Sequence, residues 1–129
     1  MENIITIDKY DFHDVALEYK EQGYDFLRCL TGMDWGEDGL GAVYHLENTL
    51  TQENVVLKTK TTELSDPILL SVCDIWKGAE FYEREIFDYF GISFLGHPDM
   101  RRLFLREDWV GHPLRKDYDF SLNPLRMTN

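Results

Sequence analysis

The sequence predicts a two-layer α+β fold, in which helices pack on a mainly antiparallel sheet and an extended C-terminal arm follows. Two segments place apolar residues at helical spacing, and three consecutive segments between them have the composition of strands. The last quarter of the chain is rich in Gly, Pro and Arg and has little periodicity. Because 129 residues suffice for one domain, we expect 1–96 to form the α+β body and 97–129 to form a loop-rich docking arm of that same domain.

The first predicted helix runs from Asp11 to Gln22. It follows a lead-in at Ile4–Ile7 that is either a short strand or an ordered extended segment. Asp11 suits the N-cap, and Gly23 suits the position after the helix because glycine accepts a left-handed backbone. The apolar positions that define this helix are Phe12, Val15, Ala16 and Tyr19.

Three strand segments follow this helix, at Tyr24–Met33, Leu40–Glu47 and Asn54–Thr61. The two loops between them are rich in Asp, Gly, Asn and Thr, which favour turns. Short connections of this kind join neighbouring antiparallel strands, so the sequence predicts a three-stranded antiparallel meander.

Two further helices are predicted after the meander. The second of them covers Ala79–Phe90 and ends at Gly91. In the arm, Arg102–Leu105 is expected to form a short edge strand. The first of the two helices rests on a single apolar stripe, formed by Ile68, Leu69, Val72 and Ile75.

The charge distribution limits the classes of partner. A net charge of −11 argues against nucleic acid or anionic lipid as the direct partner. Residues 1–96 carry a net −12 and residues 97–129 a net +1, so the arm presents a different surface from the body. No segment approaches the roughly 20 apolar residues of a membrane-spanning helix, and no signal peptide is recognisable. We therefore expect a protein that stays in the cytoplasm.

Cofactor motifs are missing from the sequence. Cys29 and Cys73 are 44 positions apart and are expected to be two reduced, buried thiols. An iron–sulfur cluster or a structural zinc ion needs about four ligands, which two separate cysteines do not supply. There is also no glycine-rich nucleotide or phosphate loop. We expect no cofactor and no metal in this chain.

The helix at 79–90 carries several charged candidate residues. Glu80, Arg84 and Asp88 recur at i,i+4 spacing and predict a salt-bridged ladder that faces solvent or a partner. Glu83 and Glu85 could serve acid–base chemistry, but no second catalytic group is spaced to join them, so a structural helix is favoured over a hydrolase. The residues expected to face the core are Tyr82, Ile86, Tyr89 and Phe90.

A Gly-His-Pro sequence occurs twice, at 96–98 and 111–113. Proline fixes the backbone after each histidine, which favours side chains held by a rigid turn and hydrogen-bonded to a fixed partner. The alternative is that His97 and His112 share a metal ion with Asp99 or Asp117 nearby, although the spacing matches no known ligand pattern.

Basic side chains alternate with large apolar ones throughout the arm. Arginine and aromatic residues are enriched in protein interfaces, whereas lysine and glutamate dominate plain surface. The arm is therefore predicted to dock on a partner protein. The basic residues concerned are Arg101, Arg102, Arg106, Arg115 and Lys116.

Three segments together resemble a known family: Trp76–Ile92, Gly96–Leu103 and Asp108–Tyr118. They are similar to the NuoC-type (C) component of bacterial NADH-quinone oxidoreductase, the counterpart of the thirty-kilodalton subunit of mitochondrial complex I. Weaker similarity extends back to about Tyr24. One departure is Lys77, where many members of the family have proline.

The resemblance implies a non-catalytic subunit of the hydrophilic arm of a proton-translocating NADH:quinone oxidoreductase. The flavin and the iron–sulfur clusters belong to partner subunits, and this subunit supports the large quinone-site subunit at the cytoplasmic face of the bacterial inner membrane. Carried onto this sequence, the interface or signature residues are Glu83, Arg84, Glu85, Asp88, His97, Arg101, Arg102, His112, Pro113, Arg115, Lys116 and Asp117.

Two other functions stay open at this point. Related subunits occur in membrane-bound hydrogenases and formate-hydrogen lyases, whose assemblies resemble complex I. A free-standing metal-binding module built on His97 and His112 is the alternative from a different class of protein.

Overall fold

The structure, a computed structural model, describes residues 4–101 and 111–117. A short 3₁₀ turn at Gly36–Asp38 separates the second and third strands. In chain order the elements are β1 (Ile4–Thr6), α1 (Phe12–Glu21), β2 (Phe26–Asp34), β3 (Leu40–Glu47), β4 (Asn54–Thr61), β5 (Ile68–Leu70), α2 (Ala79–Phe90) and β6 (Ser93–Leu95).

The main sheet has four strands in the order β1-β4-β3-β2. Strands β2, β3 and β4 pair antiparallel, which confirms the predicted meander. The lead-in segment forms strand β1, which pairs parallel to β4 with Ile4 opposite Val56. The sheet is therefore mixed, although most of its pairings are antiparallel.

The side of the sheet that faces the helices is apolar because β3 alternates strictly. Ala42, Tyr44 and Leu46 are buried, whereas the residues between them are half-buried. Helix α1 packs against this side through Phe12, whose ring centroid lies 4.4 Å from that of Tyr44. Packing of α1 on the sheet thus follows from one strand face and one helix face of matching period.

Helix α2 comes very close to strand β2. A Cβ atom added to Gly32 would lie 2.6 Å from Cδ2 of Phe90 and 3.2 Å from Cγ2 of Ile86. Ile86 is fully buried, and Tyr82 and Phe90 pack partly buried against the core, as the helical pattern predicts. Tyr89 is half-buried. Glycine at position 32 therefore sets the distance between helix and sheet.

The predicted helix over residues 68–75 is wrong. Residues Ile68–Leu70 form strand β5, which pairs parallel to β6 with Leu69 opposite Phe94. A short apolar run has no periodicity that separates a strand from a helix. The partner strand lies some 25 positions further along the chain, so local sequence could not reveal the pairing.

Both ordinary helices lie close to their predicted bounds. Helix α2 has its C-cap at Gly91, which adopts a left-handed backbone with φ of 77° and donates its N–H to the carbonyl of Phe87. Helix α1 has Asp11 at the N-cap position as predicted, but the Asp11 side chain makes no capping hydrogen bond. Neither helix in 4–101 and 111–117 has the length and apolar character that crossing a membrane requires.

Candidate functional site

Glu83 of α2 points into the protein and is 0% exposed. Its carboxylate accepts three hydrogen bonds from the loop that follows β5. The Ser71 hydroxyl donates to Oε1 over 2.6 Å, the Val72 backbone N–H donates to Oε2 over 2.9 Å, and the Cys73 thiol donates to Oε1 over 3.1 Å. Glu83 therefore fixes the loop 71–73 onto α2, and its burial corrects the prediction of a signature helix that turns its acids outward.

The surroundings of Glu83 disfavour negative charge. Burial raises the pKa of Glu83, while the hydrogen bonds from Ser71, Val72 and Cys73 act in the opposite direction. Burial also raises the pKa of the Cys73 thiol to about 12. The pKa of Tyr44 is raised well above its ordinary value, first by burial and then by the charges of Glu83 and Cys73. Three acidic groups therefore share one poorly solvated region.

Asp88, one turn beyond Arg84 on α2, is also 0% exposed. The prediction of a solvent-facing ladder through Glu80, Arg84 and Asp88 is therefore wrong for its last member. Arg84 is half-buried, and its Nε donates to the carbonyl of Arg101 over 3.3 Å. Glu85 is exposed, as expected of a solvated helix position. More than one face of α2 is buried because β2 and the β5–β6 pair flank the helix on different sides.

His97 holds the beginning of α2. The backbone N–H of Asp99 donates to Nδ1 of His97 over 2.9 Å, so Nδ1 is an acceptor. The hydrogen of the neutral ring is then on Nε2, which donates to the carbonyl of Glu80 over 2.9 Å. Both ring nitrogens are engaged in the hydrogen bonding that the Gly-His-Pro turn predicts.

His112 holds the other end of the same helix. Its Nδ1 lies 2.9 Å from the carbonyl oxygen of Asp88 and donates to it, because a carbonyl can only accept. The ring centroid lies 5.8 Å from that of Phe87. Close packing continues at Gly91, where an added Cβ would lie 2.6 Å from Cδ2 of His112.

We call His97 and His112 the histidine clamp, because each ring bonds a backbone carbonyl of α2. The two carbonyls are eight residues apart, about 12 Å along a helix. That separation argues against the alternative in which both histidines share one metal ion. Among the described residues, the potential metal-ligand group that includes His97 combines it with Cys73 and Glu83.

The described part of the arm, 111–117, is fixed to the body at its backbone. Leu114 donates its N–H to the carbonyl of Tyr89 over 2.8 Å. The Asp34 carboxylate accepts the N–H of Lys116 on one oxygen and that of Gly36 on the other, both over 2.8 Å. Asp34 thus joins the turn after β2 to the arm.

The arginines of the arm form local pairs. Arg101 bonds the Asp99 carboxylate through two nitrogens, over 2.6 and 2.8 Å. Arg115 bonds Asp117 in the same way and also donates to the carbonyl of Leu64 over 2.9 Å. The Arg115 side chain is only 14% exposed, so it contributes to the fold of its own chain in addition to any role at an interface.

The remaining predicted site residues fall into two groups. Lys116 and Asp117 are exposed, and Pro113 is half-buried beside them. Arg102, Arg106 and the predicted edge strand at Arg102–Leu105 lie outside the described residues.

Several contacts of the site were not predicted from sequence. Ser71, Cys73 and Tyr44 surround Glu83, yet no motif marks them and they come from distant positions. Asp34 had a usable signal, because an Asp two residues before a glycine favours a turn closed by its own carboxylate.

Comparisons with known proteins agree on one family. The family model described as respiratory-chain NADH dehydrogenase, 30 Kd subunit, matches residues 5–123. The chain is 65% identical over its whole length to the fused C/D subunit of NADH-quinone oxidoreductase from Phocaeicola vulgatus, of which it covers 25%. It is 40% identical to the C-type subunit of NADH-quinone oxidoreductase from Roseiflexus castenholzii, with 98% of this chain and 71% of that one aligned.

A solved structure of Nqo5, a trypsin-resistant fragment covering 1–134, has a similar fold. The TM-score is 0.69 at 30% sequence identity, and the match covers 74% of this chain and 80% of that one. The chain spans about a quarter of the length of the C/D-type relatives that it matches.

Proposed function

The chain belongs to the family of the 30-kDa subunit of respiratory-chain NADH dehydrogenase, and from that premise we propose that it is a non-catalytic subunit of a proton-translocating NADH:quinone oxidoreductase. Its task is to support the large quinone-site subunit in position. The flavin and the iron–sulfur clusters that carry electrons are held by partner subunits.

The observation that carries this proposal is how the signature side chains are used. Glu83 is buried under three hydrogen bonds, and His97 and His112 bond the backbone of α2. Groups with catalytic chemistry are thus occupied in fixing one helix, one loop and the arm to each other. Such an arrangement suits a rigid platform for another protein.

Exposed apolar side chains indicate where a partner could dock. Leu114 of the arm is 57% exposed beside exposed Lys116 and Asp117. On the body, Tyr10, Ile68 and Leu95 are exposed and line a shallow depression. Interfaces combine apolar contact with charged residues at the margin, so we assign the exposed side chains of the arm, together with Arg102, to docking.

The partners we propose are the large quinone-site subunit and the cluster-bearing subunits of the same complex. The C/D-type relatives support the first, because a single polypeptide there carries the part that matches this chain and a much longer remainder. The names of the relatives favour this complex over a membrane-bound hydrogenase. We place the assembly at the cytoplasmic face of the bacterial inner membrane.

Co-purification tests the proposal. The tagged chain, produced in its native host and extracted with mild detergent, is expected to recover the quinone-site subunit and cluster-bearing subunits, identified by mass spectrometry. Leu114→Glu is expected to reduce that recovery, because it places a charge in the proposed contact. Leu50→Glu is the matched control, since Leu50 is 91% exposed on the turn between β3 and β4.

Two results would contradict the proposal. Recovery of the wild-type chain without any other oxidoreductase subunit would argue against membership of the complex. Equal recovery with Leu114→Glu and with Leu50→Glu would argue against the arm as the docking surface.

A further inference from the structure

Three side chains with metal-binding chemistry meet beneath the beginning of α2. The Cys73 sulfur, a Glu83 carboxylate oxygen and a His97 ring nitrogen all lie within 4.8 Å of one another. Each comes from a different part of the fold: the loop after β5, helix α2 and the turn after β6. Thiolate, carboxylate and imidazole are the ligand types that zinc prefers.

The Tyr44 hydroxyl is a second, independent sign of a ligand at this place. Tyr44 is fully buried, and its hydroxyl has no hydrogen-bond partner among the described residues. The phenol is close enough to Glu83 and Cys73 for their charges to act on it. A buried hydroxyl without a partner is costly, so a group that bonds it is missing from the protein atoms alone.

Glu83 provides the electrostatic reason for a cation. Its carboxylate is 0% exposed, and its three hydrogen-bond donors are all neutral. Within 4–101 and 111–117, Glu83 forms no ion pair with a lysine or an arginine. Buried charges are normally paired with an opposite charge or bound to a metal ion.

We propose that Cys73, Glu83 and His97 bind one divalent cation of the zinc class, with a fourth position open to a water molecule that bonds the Tyr44 hydroxyl. On binding, the Cys73 thiol releases its proton to solvent and coordinates as thiolate, while Glu83 coordinates as carboxylate. No electron is transferred. A divalent ion with two anionic ligands and a neutral imidazole forms a site without net charge, which suits its burial.

His97 must give up one of its present hydrogen bonds to the metal. Its other ring nitrogen keeps a backbone partner, either the carbonyl of Glu80 or the N–H of Asp99. Metal-bound histidines usually have the second ring nitrogen held in this way. The ion is structural: it ties the loop after β5 and the turn after β6 to α2, separately from the docking role.

Cobalt(II) is the probe for the test, because a thiolate ligand gives it an intense near-ultraviolet charge-transfer band. Metal-free full-length chain, shown to be folded by circular dichroism, is titrated with cobalt chloride and then with zinc chloride. We expect one cobalt ion per chain, the thiolate band, displacement by one equivalent of zinc, and a higher melting temperature with zinc. A chain that folds only when zinc is added gives the same support.

Matched variants identify the ligands. Cys73→Ser is expected to abolish the thiolate band and weaken binding about tenfold or more, whereas Cys29→Ser makes the same change at a half-buried cysteine outside the cluster and leaves both unchanged. His97→Gln is expected to weaken binding, while His13→Gln, at a histidine paired with Asp74, is not.

The proposal is overturned if the folded, metal-free chain binds no stoichiometric cobalt or zinc at micromolar concentrations. It is also overturned if the thiolate band persists in Cys73→Ser. Glu83→Gln is less suitable as the decisive variant, because Glu83 also holds the loop 71–73 through its hydrogen bonds.

Discussion

The His112 ring donates a 2.9 Å hydrogen bond to the carbonyl of Asp88, in the last turn of α2. Carbonyls near the end of a helix lack a partner within the helix, so this bond satisfies one of them. The same ring packs against Gly91, whose left-handed backbone ends the helix. The arm and the helix end therefore depend on each other, and position 91 tolerates only glycine well.

Gly91→Ala is expected to lower the free energy of unfolding by about 1–3 kcal/mol, measured by urea denaturation. Alanine is strained at a φ of 77°, and its Cβ would lie 2.6 Å from Cδ2 of His112. Gly78→Ala is the control, because Gly78 has ordinary helical backbone and nothing within 4 Å of an added Cβ. Equal stability losses for both variants would contradict the role of the His112 contact.

Ile86→Ala is expected to cost about 2–5 kcal/mol of folding stability, since it removes a fully buried side chain beside β2. Phe81→Ala on the same helix removes a larger side chain that is 66% exposed, and a change within about 0.5 kcal/mol is expected. Chemical denaturation monitored by circular dichroism compares the two. A greater loss for Phe81→Ala would show that α2 packs through a different face.

Cys73 should react slowly with alkylating reagents although it is only half-buried. Burial raises its pKa from 9.0 to about 12, and the thiolate is the reactive form. In metal-free protein at pH 8, iodoacetamide should modify Cys73 about a hundred to a thousand times more slowly than in the urea-unfolded chain. Mass spectrometry of the peptide that contains Cys73 measures both rates, and similar rates would refute the prediction.

The pKa of Asp25 is lowered from 3.8 by hydrogen bonds from the side chain and the backbone of Thr49, which favour the carboxylate. The stability this contributes is present above pH 3.8 and is lost as the pH falls through the lower folded-state pKa. Thr49→Val should therefore raise the pKa of Asp25 toward 3.8 and reduce the loss of stability in acid.

Carbon-13 NMR titration of the Asp25 carboxyl group measures that pKa directly. Thr51→Val is the control, because the Thr51 hydroxyl accepts from the N–H of Glu53 and does not contact Asp25. An unchanged Asp25 pKa in Thr49→Val would mean that the hydroxyl hydrogen bond is absent in solution.

Local sequence determined the elements whose pattern is long enough to be unambiguous. Ala79–Phe90 has a full helical period and a glycine at its end, and both bounds match the structure. Strands β3 and β4 match equally well, because turn-favouring loops delimit them. The family was also identifiable from sequence, since the segments from Trp76 to Tyr118 carry a specific combination of residues.

Tertiary structure alone decided the parallel pairings and the burial of charge. Strands β5 and β6 are three residues each and pair across some 25 positions, a separation that no local period encodes. Glu83 and Glu85 are chemically identical in the sequence, yet one is enclosed by the loop 71–73 and the other faces solvent. Whether a carboxylate holds a loop or meets water depends on which distant backbone donors reach it, and only the folded chain brings those donors together.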